Sequence, residues 1–202
     1  QTVFDQWRKG IQGWEIHRAI SQLSEEEKIF PPVVVAISST LNRSGEYLPA
    51  KALTSPNGTS LAEESSLVGK SSTKRVVSDL YLEWMVNTLK PAIDQRYRTL
   101  RDAQNTALLG SSLGGLITLY GLCEYPGVFG KAACLSTHWP AVGQGMLSYL
   151  DENLPDPGQH KLYFDHGSEG LDREYEPWQA KVDALLREKG FREGKDFASW
   201  HF

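Results

Sequence analysis

The chain has 202 residues and a mass of 22.6 kDa, with 40% hydrophobic and 23% charged residues. A chain of this size buries roughly 70% of its unfolded surface, enough for one sizeable core, and the composition excludes a disordered chain, a collagen-like repeat and a disulfide scaffold. A net charge of −4 and a pI near 5.8 argue against a nucleic-acid surface or a polybasic membrane anchor, and the longest apolar run, 31–37, is far short of the roughly 20 residues of a membrane span.

Trp14, Ile16, Ala19, Ile20 and Leu23 recur at helical spacing and predict a first helix. Residues 32–38, a short β-branched run, predict a strand buried on both faces. Residues 39–72, rich in Ser, Gly, Pro and Asn, predict a long loop leaving the C-terminal end of that strand, the edge where such sheets bind ligands. Val76, Val77, Leu80, Tyr81, Trp84, Met85, Thr88 and Leu89 form the stripe of a long amphipathic helix that Pro91 ends or kinks. Strands are then predicted over 106–110, 131–136, 161–165 and 196–202, and helices over 113–122, 146–150 and 175–186. The last helix stops at Lys189-Gly190, a good C-cap signal. Alternating strands and helices predict one α/β domain over 1–202, a mostly parallel sheet covered by helices on both faces. Cys123 and Cys134 lack C-x-x-C spacing and read as buried free thiols.

Gly110-Ser111-Ser112-Leu113-Gly114 follows a predicted strand and opens a predicted helix, the context that makes G-x-S-x-G a nucleophile elbow. A turn this tight strains its central residue and lifts the Ser112 hydroxyl clear of the sheet, and glycines on either side let strand and helix approach. The serine then sits at a helix N-terminus, where free N–H groups favour a developing oxyanion. Gly115 extends the motif. A P-loop reading fails twice: Leu116-Ile117 stand where Lys-Ser/Thr must follow Gly115, and Glu64 occupies the first Gly position before Gly69-Lys70-Ser71. An idle serine in a glycine-rich turn is the competing reading.

A serine nucleophile needs a base, and the base an orienting acid. Asp165, Glu169 and Asp172 come after Ser112 in the chain order Ser, acid, His. Asp165 lies within its strand, whereas Glu169 and Asp172 occupy the turn after it; Asp172 could equally cap the next helix. Only His201 comes after Asp172, and it sits inside a predicted strand rather than in the loop beyond, which disfavours it as the base. His138 and His166 fall at strand ends near the site, where pocket-lining roles suit them; His17 and His160 read as surface residues.

The segments 110–115, Ser136-Thr137-His138-Trp139-Pro140 and Asp165-His166-Gly167-Ser168-Glu169-Gly170-Leu171-Asp172 together resemble the Putative esterase family of α/β hydrolases. That group includes esterase D, enterochelin, feruloyl and acetyl-xylan esterases, and mycolyltransferases. Residues 31–37 with the Asn42-to-Pro49 stretch resemble its fourth strand and loop. The resemblance implies a three-layer α/β-hydrolase fold truncated at both ends, Asp172 rather than Glu169 as the acid, and the Leu113 N–H as one oxyanion donor. Gln1-Thr2-Val3-Phe4-Asp5 resembles the segment whose backbone supplies the other donor, at the Gln1 position. The catalytic His is implied beyond Phe202.

These readings lead to a serine carboxylesterase acting on a small-molecule or carbohydrate-linked ester through an acyl-enzyme on Ser112. His138, Trp139 and residues 39–72 are its expected pocket, and no metal or organic cofactor is implied. Acyl transfer to a sugar or lipid hydroxyl, and a non-catalytic binding module or inactive fragment, are the alternatives.

Overall fold

A computed structural model describes residues 7–8, 11–54 and 75–202. The chain divides into compact units of residues 1–41 and 42–202. In the first, β1 (Trp7–Arg8) pairs antiparallel with β2 (Ile11–Gln12), followed by α1 (Ile16–Glu25). The helix predicted from Trp14 to Leu23 thus forms. The strand predicted over 32–38 does not: among the described residues it joins no ladder, and Val33, Val34 and Val35 are exposed. Branched side chains favour an extended backbone, but a strand also needs a neighbour's N–H and C=O groups, which local sequence cannot supply.

In the second unit a four-stranded parallel sheet runs β3 (Ala107–Ser111), β4 (Lys131–Leu135), β5 (Lys161–His166), β6 (Phe197–His201), in chain order. Each of these strands begins within one residue of its predicted start. The intervening helices are α6 (Leu113–Glu124), α7 (Gln144–Asn153) and α8 (Glu176–Glu188). All but the last residue of α6 is buried, as a helix apolar on every side requires. Phe164 and Ser199 point to the same face as Leu108, where Trp139 packs on Phe164 and Leu108 lies under Gly121 of α6. The opposite face, with Leu109 and Trp200, is half exposed within this unit. At the end of α8, Gly190 adopts φ +89°, and the Phe191 N–H donates to the Leu186 carbonyl at 2.9 Å, closing the helix as its sequence predicts.

Two details before the sheet differ from expectation. The stretch 39–72 is not all loop: it holds the short helices α2 (Arg43–Tyr47) and α3 (Ala50–Leu53), while 55–72 lie outside the described residues. The long helix comprises α4 (Ser78–Trp84), a π-helical segment Met85–Leu89 and α5 (Lys90–Arg96), so it continues through Pro91. The wider π turn precedes the proline and accommodates a ring that would otherwise press on the preceding turn. Of the predicted stripe Met85 is buried while Leu80 and Trp84 are exposed, and the other buried positions, Ser78 and Leu82, lie outside it. The phase is set by α6, where Leu82 occupies the space that a side chain at Gly121 would need. Both cysteines are buried free thiols, and among the described residues no helix is long and apolar enough to cross a membrane.

Candidate active site

Strand β3 passes into α6 through a single residue, Ser112, whose backbone lies at φ 59°, ψ −122°. An L-residue held there stores on the order of 1–3 kcal/mol. Gly110 is required by close approach: a Cβ there would meet the Gly114 carbonyl oxygen at 2.3 Å and Thr118 Oγ1 at 2.9 Å. Gly114 corrects the symmetrical expectation, since a Cβ there would meet nothing within 4 Å among the described residues. Gly115 is the second close approach: a Cβ there would lie 2.3 Å from Thr137 Oγ1. Leu113 opens the helix, so its N–H has no intrahelical acceptor. It lies where helix-terminal N–H groups gather partial positive charge beside the Ser112 hydroxyl.

The parallel register also aligns the residues just past each strand end. Ser111, Leu135, Asp165 and Trp200 share one register row. Beyond that row the Ser112 N–H donates to the Leu135 carbonyl at 2.9 Å, and the Ser136 N–H to the Asp165 carbonyl at 2.8 Å. The main chain therefore places Ser112, Ser136 and His166 beside one another. Ser136 also has positive φ, 40°.

Asp172 lies in the turn Gly170–Glu174 after β5. Its Oδ2 accepts from Ser136 Oγ at 2.7 Å and from the Gly167 N–H at 2.8 Å. It does not cap α8, whose N-cap residue, Tyr175, makes no side-chain cap bond. Oδ1 has no hydrogen-bond partner among the described residues. Glu169, just before this turn, is exposed, and Asp165 Oδ1 accepts across the strands from the Ser136 N–H at 3.1 Å.

His138 and Trp139 both lie past the end of β4, and both are buried. The His138 N–H donates to the Ser112 carbonyl at 3.2 Å, tying this loop to the elbow. Its Nδ1 lies 2.6 Å from the Tyr175 hydroxyl. Burial, foremost, holds the His138 imidazole below its usual proton affinity, and Arg43 acts in the same direction while Glu174 opposes it. Burial, with the carboxylates of Asp172 and Glu174, pushes the Tyr175 phenol up to about 12. Trp139 donates its indole N–H to Gln179 at 3.2 Å and packs against Phe164. At the far strands, His166 stacks on His201 with ring centroids 4.6 Å apart. His201 is an exposed β6 residue opposite His166 in register. His160, read as a surface residue, is buried instead, its Nε2 3.1 Å from the Pro126 carbonyl. Gln1 lies outside the described residues. Among those described, no group of three His, Cys, Asp or Glu could hold a metal ion.

Ser136, Tyr175 and the Gly167 N–H were not singled out as site groups from the sequence. Ser136 carried one usable signal: it occupies the strand-end position next to that of Ser112.

A parallel sheet whose strand turns through a positive-φ serine into a buried helix is the arrangement of the α/β-hydrolase fold. The chain belongs to the esterase family, whose sequence model, described as "Putative esterase", matches residues 11–197. It is 28% identical over 120 residues to the uncharacterised protein YbbA of Bacillus subtilis (strain 168), covering 56% of this chain and 47% of that protein. Among solved structures it is similar to the enterobactin esterase FES of Shigella flexneri, with a TM-score of 0.64 at 15% identity over 99% of this chain and 45% of that one. It is also similar to an IroE-like serine hydrolase of Shewanella oneidensis (TM-score 0.61, 19% identity, 82% of this chain and 51% of that one). The enterobactin hydrolase IroE gives a TM-score of 0.60 at 19% identity, over 100% of this chain and 70% of that one. The chain thus spans about half the length of YbbA and FES.

Proposed function

We propose that the protein is a serine carboxylesterase that hydrolyses its substrate through an acyl-enzyme on Ser112. The observation that carries this reading is the backbone of Ser112, φ 59° and ψ −122° between a strand and a buried helix. Strain of this kind persists where it serves a site.

In this mechanism a histidine takes the proton of Ser112 Oγ as that oxygen attacks the ester carbonyl carbon. The carbonyl oxygen becomes an oxyanion and accepts from the Leu113 N–H, a donor contributing about 3 kcal/mol. The imidazolium then protonates the departing alcohol oxygen and leaves the acyl group on Ser112. Water, deprotonated by the same imidazole, attacks the acyl carbon; the acyl–Oγ bond then breaks, the imidazolium returns its proton to Ser112 Oγ, and the carboxylic acid is released. Asp172 orients the imidazole through the Oδ1 that the described residues leave open. The family pattern puts that histidine after the strand matching β6. His138 and Trp139 shape the elbow side of the substrate pocket from their buried positions. The substrate is a small-molecule or carbohydrate-linked ester; enterobactin, the compound named for the similar structures, belongs in the panel.

The test is labelling by a fluorophosphonate probe together with hydrolysis of a short-chain aryl ester by the full-length protein. Wild type is expected to react with both. Ser112→Ala is expected to lose labelling and at least about a thousandfold in kcat. Absence of both reactions in the wild type overturns the proposal.

A further inference from the structure

Ser136 is the residue after β4, and its side chain touches the acid rather than the nucleophile. Its hydroxyl and the Gly167 N–H converge on a single carboxylate oxygen, Asp172 Oδ2, at 2.7 and 2.8 Å. Hydrogen bonds to an ionised carboxylate are roughly twice as strong as neutral ones. Two of them on one oxygen fix both where the carboxylate sits and how its plane is turned. Asp172 is half-buried in the short 3-10 turn Gly170–Glu174, whose backbone bonds hold its main chain, so these two bonds are the described anchors of its side chain.

Ser136 is itself firmly held. Its N–H donates to the Asp165 carbonyl at 2.8 Å and to Asp165 Oδ1 at 3.1 Å. Its φ of 40° is a conformation that glycine takes without strain and serine does not. The fold therefore carries a hydroxyl at a position whose backbone favours no side chain.

We infer that Ser136 is a positioning residue: its hydroxyl, with the Gly167 N–H, locks Asp172 Oδ2 and fixes the plane of the carboxylate, leaving Oδ1 to orient the catalytic base. The inference rests on Asp172 being the acid of the proposed esterase.

The test is a double-mutant cycle in the full-length protein, with kcat and KM for the aryl ester measured alongside thermal unfolding. Ser136→Ala is expected to lower kcat about tenfold, the effect of one charged hydrogen bond, and to leave KM unchanged. Ser136→Gly relaxes the backbone, so it is expected to unfold no earlier than wild type and yet to show the same loss in kcat. Activity restored by the glycine would mean that backbone geometry, not the hydroxyl, matters, and would overturn the inference. In the Asp172→Asn background, Ser136→Ala is expected to cost nothing further. Losses that multiply would overturn the inference while leaving Asp172 as the acid. If Asp172→Asn alone leaves kcat unchanged, the acid assignment itself fails and the role of Ser136 falls with it.

Discussion

Gly115 and Thr137 meet without room for a methyl group between them: a Cβ on Gly115 would lie 2.3 Å from Thr137 Oγ1 and 3.1 Å from its Cβ. Thr137 is fully enclosed, and its hydroxyl has no hydrogen-bond partner among the described residues. It cannot swing into solvent, so an added methyl must push α6 from the loop after β4. Gly115→Ala is expected to destabilise the protein by about 1–3 kcal/mol, read as a lower urea midpoint at unchanged slope. Gly114→Ala meets nothing within 4 Å and gains helix propensity, so it is expected to be neutral or stabilising by up to about 1 kcal/mol. Equal losses from both would refute this packing account.

The strained backbone of Ser112 makes a second prediction. Glycine adopts φ 59°, ψ −122° at far lower cost than any residue with a Cβ. Ser112→Gly is therefore expected to raise Tm by about 2–4 °C, corresponding to about 1 kcal/mol released in a chain of this length. Ser112→Ala keeps the Cβ and should leave Tm near the wild-type value. A rise with alanine as large as with glycine would locate the strain in the hydroxyl instead.

His138 predicts a pH dependence of stability. Burial, foremost, lowers its proton affinity in the folded protein below the ordinary 6.5, whereas the unfolded chain binds its proton near that value. The contribution of the buried neutral ring is thus complete above pH 6.5 and is withdrawn as the pH falls through 6.5 towards the lower folded value. Urea unfolding monitored from neutral pH downward should show this decline, and His138→Gln should flatten it. An identical slope in the variant would assign the decline to other groups.

Asp196 acts in a more acidic window. Its buried carboxylate accepts from Arg192 Nε at 2.8 Å, from the Arg192 N–H at 3.1 Å and from Lys161 Nζ at 3.4 Å. The Arg192 side chain, first among these, holds its carboxyl down to about 2 from the ordinary 3.8. That stabilisation is present above 3.8 and lost as the pH falls towards about 2. Asp196→Asn is expected to lower Tm at pH 7 and to converge with wild type near the acid end. A Tm difference that persists undiminished there would rule out the carboxylate's charge as the cause.

The strands and helices of the sheet region were legible because each carries its own signal: a short apolar run, a periodic stripe, a glycine stop. The elbow was legible for the same reason, being a local pattern between two such signals. Residues 32–38 misled because pairing is not local. The phase of α4 misled because Leu80 and Trp84 suit an apolar stripe as well as Leu82 does. Only the groove at Gly121 of α6 decides which face turns inward. His160 misled because a polar ring flanked by loop residues looks solvated until the Pro126 carbonyl is brought to it from 34 positions away. Ser136 went unassigned because its partner, Asp172, is 36 residues further along and joins it only through the parallel register.

The staircase of main-chain bonds at the strand ends sets what kind of change this arrangement can absorb. Ser112 donates to Leu135, Ser136 to Asp165, and Phe202 to His166. Each position is thereby counted off along its neighbour's backbone, independent of which side chains fill the rows below. Exchanging one apolar residue for another inside β4 alters volume but not the count. Deleting a single residue there turns every later side chain of the strand to the opposite face and carries the Ser136 hydroxyl away from Asp172. Drift among relatives should accordingly accumulate as substitutions within the strands, with insertions and deletions confined to the loops past the last rung.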